Sequence, residues 1–138
     1  MAPAGQELMR GRASTVLSSG VSAIVGGVVS SATSKATQAN APLALALIRA
    51  LVLGTQPDGY AAACRAIADA SDPDYAKVEA GVLVIGGEED YLSSPALIAS
   101  LVGAIGPEAS SVELKGVGHW VAVESPDKIA ELMDKTLL

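Results

Sequence analysis

A chain of 138 residues is the length of one domain, or of part of a larger one. Half of its residues are hydrophobic and the mean hydropathy is +0.41, which excludes a disordered segment. Its net charge of -6 comes wholly from residues 76–138, where four Lys face ten Asp or Glu; residues 1–75 balance five basic against five acidic groups, and no basic stripe exists to neutralise phosphates, so nucleic-acid binding is excluded.

In chain order, residues 10–40 mix Ser, Ala, Thr and Gly with Val and Ile. The spacing of Val16, Ile24, Val25, Val28 and Val29 predicts two short helices with a break near Ser19-Gly20. The polar stretch 30–40 reads as a loop or a frayed helix. A clear helix follows, with Asn40 as its cap, Pro42 in its first turn and Gly54 at its end. Its dense apolar residues (Leu43, Leu45, Leu47, Ile48, Leu51, Val52) predict burial on more than one face. Another helix enters through Gln56-Pro57-Asp58-Gly59 and covers about 60–70, before Ser71-Asp72-Pro73-Asp74 breaks the chain.

The pattern changes at Gly81. Val82-Leu83-Val84-Ile85 is a short β-branched run ending in Gly86-Gly87, as in a parallel strand buried on both faces. A helix is expected over 95–103, capped by Ser93 or Ser94. Residues 111–115 read as a second strand, and Ser125-Pro126 opens an amphipathic helix carrying Ile129, Leu132 and Met133. The fold class is therefore α/β: a helical cap segment over 1–75, then a β-α-β-α part over 76–138.

Cys64 is the single cysteine, so no intrachain disulfide framework can form, and a reducing, cytoplasmic setting is the expectation. No apolar run reaches the roughly 18–20 residues of a membrane span; the longest, 41–54, is interrupted by Arg49. The N-terminal MAPAGQELMRGR lacks the apolar core of a signal peptide. No membrane partner is expected.

Two loop positions carry the chemistry. Reacting groups gather at the carboxyl ends of strands in open α/β sheets. Asp90 lies five residues beyond Ile85, and His119 four beyond Lys115. If the two strands are adjacent and parallel, carboxylate and imidazole come within hydrogen-bond reach. A carboxylate there would fix the imidazole tautomer and stabilise the imidazolium.

These residues resemble the α/β-hydrolase superfamily. Val82-Leu83-Val84-Ile85-Gly86-Gly87-Glu88-Glu89-Asp90 with Ser94-Pro95 is similar to its strand-and-acid segment. Gly116-Val117-Gly118-His119-Trp120 with Glu124-Ser125-Pro126 is similar to its histidine loop. Arg12-Ala13 with Val16, Gly20 and Ile24, and the stretch from Gln56 through Tyr60, Cys64 and Arg65 to Ile67, resemble the cap of 3-oxoadipate enol-lactonases and their fungal relatives. The resemblance runs from about Arg10 to the end. It implies hydrolysis of esters or lactones through a serine acyl-enzyme without a cofactor, Asp90 as triad acid, His119 as general base, and residues 10–75 as a lid. Tyr60, Arg49 and Arg65 are then possible pocket residues.

No nucleophile accompanies the pair. The family's G-x-S-x-G elbow precedes the cap. The nearest match, Gly20-Val21-Ser22-Ala23-Ile24, has Ile for the second Gly and no strand before it. Cys64 reads as a small core residue, and Ser93 and Ser94 as helix caps. The expectation is a truncated or split hydrolase, inactive alone, marginally stable, and prone to associate with itself or with a missing N-terminal half. The alternatives are a non-catalytic binding module and a small enzyme with an unexpected nucleophile.

Overall fold

A computed structural model describes residues 3–137. Eight α-helices and two strands occur among them: α1 (Pro3–Ser19), α2 (Ser22–Ala32), α3 (Lys35–Asn40), α4 (Pro42–Leu53), α5 (Pro57–Asp69), β1 (Val82–Gly87), α6 (Pro95–Ile105), β2 (Ala109–Leu114), α7 (Val121–Glu124) and α8 (Pro126–Leu137). A single 3-10 turn, Tyr75–Lys77, precedes β1. None of the described helices is long and apolar enough to cross a membrane.

The chain forms two compact units, residues 1–29 with 47–73, and residues 30–46 with 74–138. Residues 30–46, read from sequence with the helical segment, thus group with the strands. In the first unit α1 packs along α5. Met9, Ala13 and Val16 recur at the spacing of one helical face, as do Ala61, Cys64 and Ala68. Ala13, Ala61 and Cys64 form one buried cluster, with Tyr60 packed against it. The expected break after Ser19 is present, and Gly20 makes it with φ 76°, a conformation that disfavours side chains. Arg10 pairs with Asp69 across the two helices.

The second unit holds a parallel two-stranded sheet, with Val82 opposite Ala109 and Gly87 opposite Leu114. Parallel strands require a crossover, and α6 supplies it. Ser94 caps α6 by accepting from the Leu97 amide, and Pro95 starts it.

Several expectations are corrected. Asn40 does not cap α4; it ends α3, and its side-chain amide donates to the Ala36 carbonyl. Of the two readings of the 30–40 stretch the helical one holds for most of it: α2 runs to Ala32, and Ser34 caps α3 by accepting from the Thr37 amide. In α4 only Ile48 and Val52 are buried, whereas Leu43, Leu47, Leu51 and Leu53 are exposed, Leu43 to 85%. Strand β1 is half-buried along Val82–Ile85 rather than covered on both faces, and β2 is its one strand neighbour among the described residues. Apolar density in a helix or strand reports what the element can bury; its exposure depends on what lies against it.

Candidate functional site

The parallel register ends both strands on the same side, and the ladder continues into their loops. The Glu88 amide donates to the Leu114 carbonyl and the Glu89 amide to that of Val117, each at 2.9 Å. These bonds zip the loop after β1 to the loop after β2. The approach is close enough that a Cβ on Gly87 would stand 2.3 Å from the carbonyl oxygens of Val117 and Gly118. Gly116, at φ 65°, turns the second loop back toward the first.

Asp90 and His119 meet as the sequence predicts: Asp90 Oδ2 lies 2.9 Å from His119 Nδ1. The other carboxylate oxygen, Oδ1, accepts the amides of Leu92 at 2.8 Å and Ser93 at 2.9 Å. Asp90 is 5% exposed, so its carboxylate has almost no freedom to turn. Burial acts to raise its pKa, but the Ser93 amide, the His119 side chain and the Leu92 amide outweigh burial and hold it below the ordinary carboxylate value. An ionised carboxylate only accepts, so Nδ1 carries the hydrogen and Nε2 is left as the basic nitrogen. The imidazole is 40% exposed, open to a reacting partner.

A carboxyl group whose folded pKa lies below its unfolded one stabilises the fold above the unfolded value, and that contribution disappears as pH falls through the folded value. The unfolded reference is about 3.9. Between pH 7 and pH 2.5, wild-type urea midpoints should therefore drop further than those of Asp90→Asn. Parallel pH dependences would contradict the assigned bonds.

A mostly apolar cavity of about 230 Å³ adjoins the pair, lined among others by Val84, Ile85, Leu97, Leu101 and Ser93. Of the other candidates, Ser93 lines this cavity beside the pair, and Ser94 rather than Ser93 caps α6. Ser22 is an exposed residue at the start of α2, and the element before it is helix α1, so no strand–turn–helix elbow surrounds it. Cys64 is buried in the first unit, and burial pushes its thiol pKa up despite the opposing charge of Arg12. Arg49 and Arg65 are exposed helical residues. Among the described residues, no group of three or more His, Cys, Asp or Glu side chains is placed to hold a metal ion.

Glu124 entered the sequence reading only as part of the stretch that resembles the family's histidine loop, with no role of its own. The Glu124 carboxylate accepts three backbone amides: Ser34 at 2.8 Å, Gly118 at 3.2 Å and Trp120 at 3.1 Å. Its position five residues after the histidine, within the Glu124-Ser125-Pro126 stretch of that resemblance, is the signal the sequence offers.

No protein-family model and no curated protein matches the chain. Solved structures do. A thermophilic esterase from Thermogutta terrifontis superposes with a TM-score of 0.88 at 25% identity, over 99% of this chain and 51% of its own. The enol-lactonase from Burkholderia xenovorans LB400 gives 0.87 at 29% identity, over 95% of this chain and 50% of its own. A hydrolase from Pseudomonas aeruginosa PA01, at 22% identity, shares the fold with a TM-score of 0.81 over 97% of this chain and 50% of its own. The chain spans about half the length of each of these structures. Helical segment, parallel strand pair and fold likeness agree: the chain has the fold of part of an α/β-hydrolase.

Proposed function

We propose that this chain supplies the general base and its orienting acid to a serine-type hydrolase acting on a carboxylic ester or lactone. The observation that carries the reading is the 2.9 Å Asp90–His119 contact beyond two parallel strands. His119 Nε2 takes the proton of a serine hydroxyl as the oxygen attacks the carbonyl, and Asp90 stabilises the resulting imidazolium. The imidazolium returns the proton to the departing alkoxide, leaving an acyl-serine. Water, activated by the same nitrogen, then releases the acid. The neighbours described as an esterase and an enol-lactonase support this substrate class. No step calls for a cofactor.

The serine of this scheme comes from polypeptide other than the described residues, so the chain alone is inactive. Ser22 has no elbow, Cys64 is a buried thiol, Ser94 caps α6, and Ser93 sits in the long loop 88–94 rather than at a sharp turn between strand and helix. The half-buried β1 and the exposed Leu43, Leu47 and Leu51 support pairing with a complementary half. Those same leucines favour a second reading, a non-catalytic interaction module in which Asp90 and His119 are relics.

Turnover of p-nitrophenyl acetate separates the readings. The 138-residue chain should show none beyond free imidazole. Joined to a segment encoding strand, G-x-S-x-G and helix from the adjoining gene region, it should turn over in a His119-dependent way. Turnover by the chain alone that disappears in Ser93→Ala would overturn the division of labour. Absence of any such adjoining segment would favour the module.

A further inference from the structure

The peptide unit is planar, so a residue's side chain is aimed by the two peptide planes that flank it. Both planes around His119 are pinned. The His119 amide donates to the Ala32 carbonyl at 2.9 Å, fixing the preceding plane. The Trp120 amide donates to Glu124 Oε1 at 3.1 Å, fixing the following one. One residue earlier, the Gly118 amide donates to Glu124 Oε2, which also accepts the amide of the fully buried Ser34. Three consecutive amides are thus held, two of them by one side chain. A Cβ on Gly118 would stand 2.8 Å from Glu124 Oε1, so the carboxylate lies tight against the loop it holds.

We propose that Glu124 is a positioning residue: its carboxylate fixes the loop 118–120 so that His119 Nδ1 points at Asp90 Oδ2. The proposal rests on reading Asp90 and His119 as an acid–base pair, but its geometry is measurable without catalysis. A hydrogen bond weakens steeply once its angle is lost. Releasing the plane after His119 frees the ring to leave Asp90 and return to the Nε2–H form that an unrestrained imidazole favours.

His119 is the single histidine of the chain, so its ring nitrogens are assigned without ambiguity in a 15N-labelled sample. In the wild-type chain the neutral ring should be predominantly the Nδ1–H tautomer. In Glu124→Ala the ratio of Nδ1–H to Nε2–H should fall about fivefold or more, the worth of one hydrogen bond. Glu124→Gln keeps one acceptor oxygen and should fall about twofold.

Glu89→Ala is the control. Glu89 Oε2 accepts the Lys35 amide at 3.0 Å, a comparable carboxylate-to-backbone bond that touches none of residues 118–120. It should leave the ratio unchanged. A folded Glu124→Ala chain with the wild-type ratio overturns the proposal, as does an equal fall in Glu89→Ala. If Glu124→Ala loses its helical circular dichroism, Glu124→Gln decides, and an unchanged ratio there overturns it. A joined protein that lacks esterase activity yet shows the predicted ratios would sink the hydrolase reading and leave the positioning role standing.

Discussion

Asp90→Asn should lower kcat of the nucleophile-completed hydrolase by about 10⁴-fold, the loss typical of such acid-to-amide exchanges. At about 1.4 kcal/mol per factor of ten, that is about 5.5 kcal/mol of transition-state stabilisation. The reason lies in how rigidly the carboxylate is held. Oδ1 accepts the amides of Leu92 and Ser93, which only an oxygen can do, so asparagine keeps its oxygen there. Its NH2 group then stands where Oδ2 met His119 Nδ1. An NH2 group donates, so Nδ1 must become the acceptor and Nε2 carries the hydrogen. The ring is held as before but in a tautomer that cannot take a proton from serine. The negative charge that stabilises the imidazolium is gone as well. KM, set by the cavity rather than by proton transfer, should change by no more than a few-fold. Steady-state kinetics of the two proteins decides; a kcat within tenfold of wild type would remove Asp90 from the mechanism.

The largest effect on stability is expected at Gly87. The methyl group of Gly87→Ala would sit 2.3 Å from two backbone carbonyl oxygens, Val117 and Gly118. No rotamer relieves a clash with backbone. The end of β1 must instead move away from the histidine loop, breaking the bonds from the Glu88 and Glu89 amides. Overpacking costs about 1–3 kcal/mol where side chains can yield, and this site belongs at or above the top of that range. Against a total of about 5–15 kcal/mol for an ordinary domain, that is a large fraction. Gly86→Ala is the informative comparison, since its Cβ meets Ile98 Cδ1, the mobile end of a side chain. Urea unfolding should rank wild type first, Gly86→Ala next and Gly87→Ala last. Equal midpoints for the two variants would contradict the close approach of the loops.

The parts legible in the sequence were those written in local pattern. The β-branched run at Val82 and the cap at Ser94 identified β1 and α6, and the strand-end positions of Asp90 and His119 anticipated their meeting. Whatever depends on distant partners was not legible. The leucines of α4 are as apolar as those of a buried helix, and their exposure follows from what surrounds them. Asn40 suits an N-cap, yet the chain uses it to finish α3. Glu124 was visible as part of the histidine-loop resemblance, but its three bonds were not, because they arise where the turn after α2 comes back to that loop. Gly87 and Gly118 resemble turn glycines, but neither has positive φ; they are small because backbone lies against them.

Replacing the imidazole itself is the most direct trial of the acid–base pair. In a protein that joins this chain to a serine-bearing segment, kcat/KM for p-nitrophenyl acetate should fall by 10³-fold or more in His119→Ala, about 4 kcal/mol. A joined, folded His119→Ala protein that hydrolyses the ester within a few-fold of the unaltered one would contradict the account.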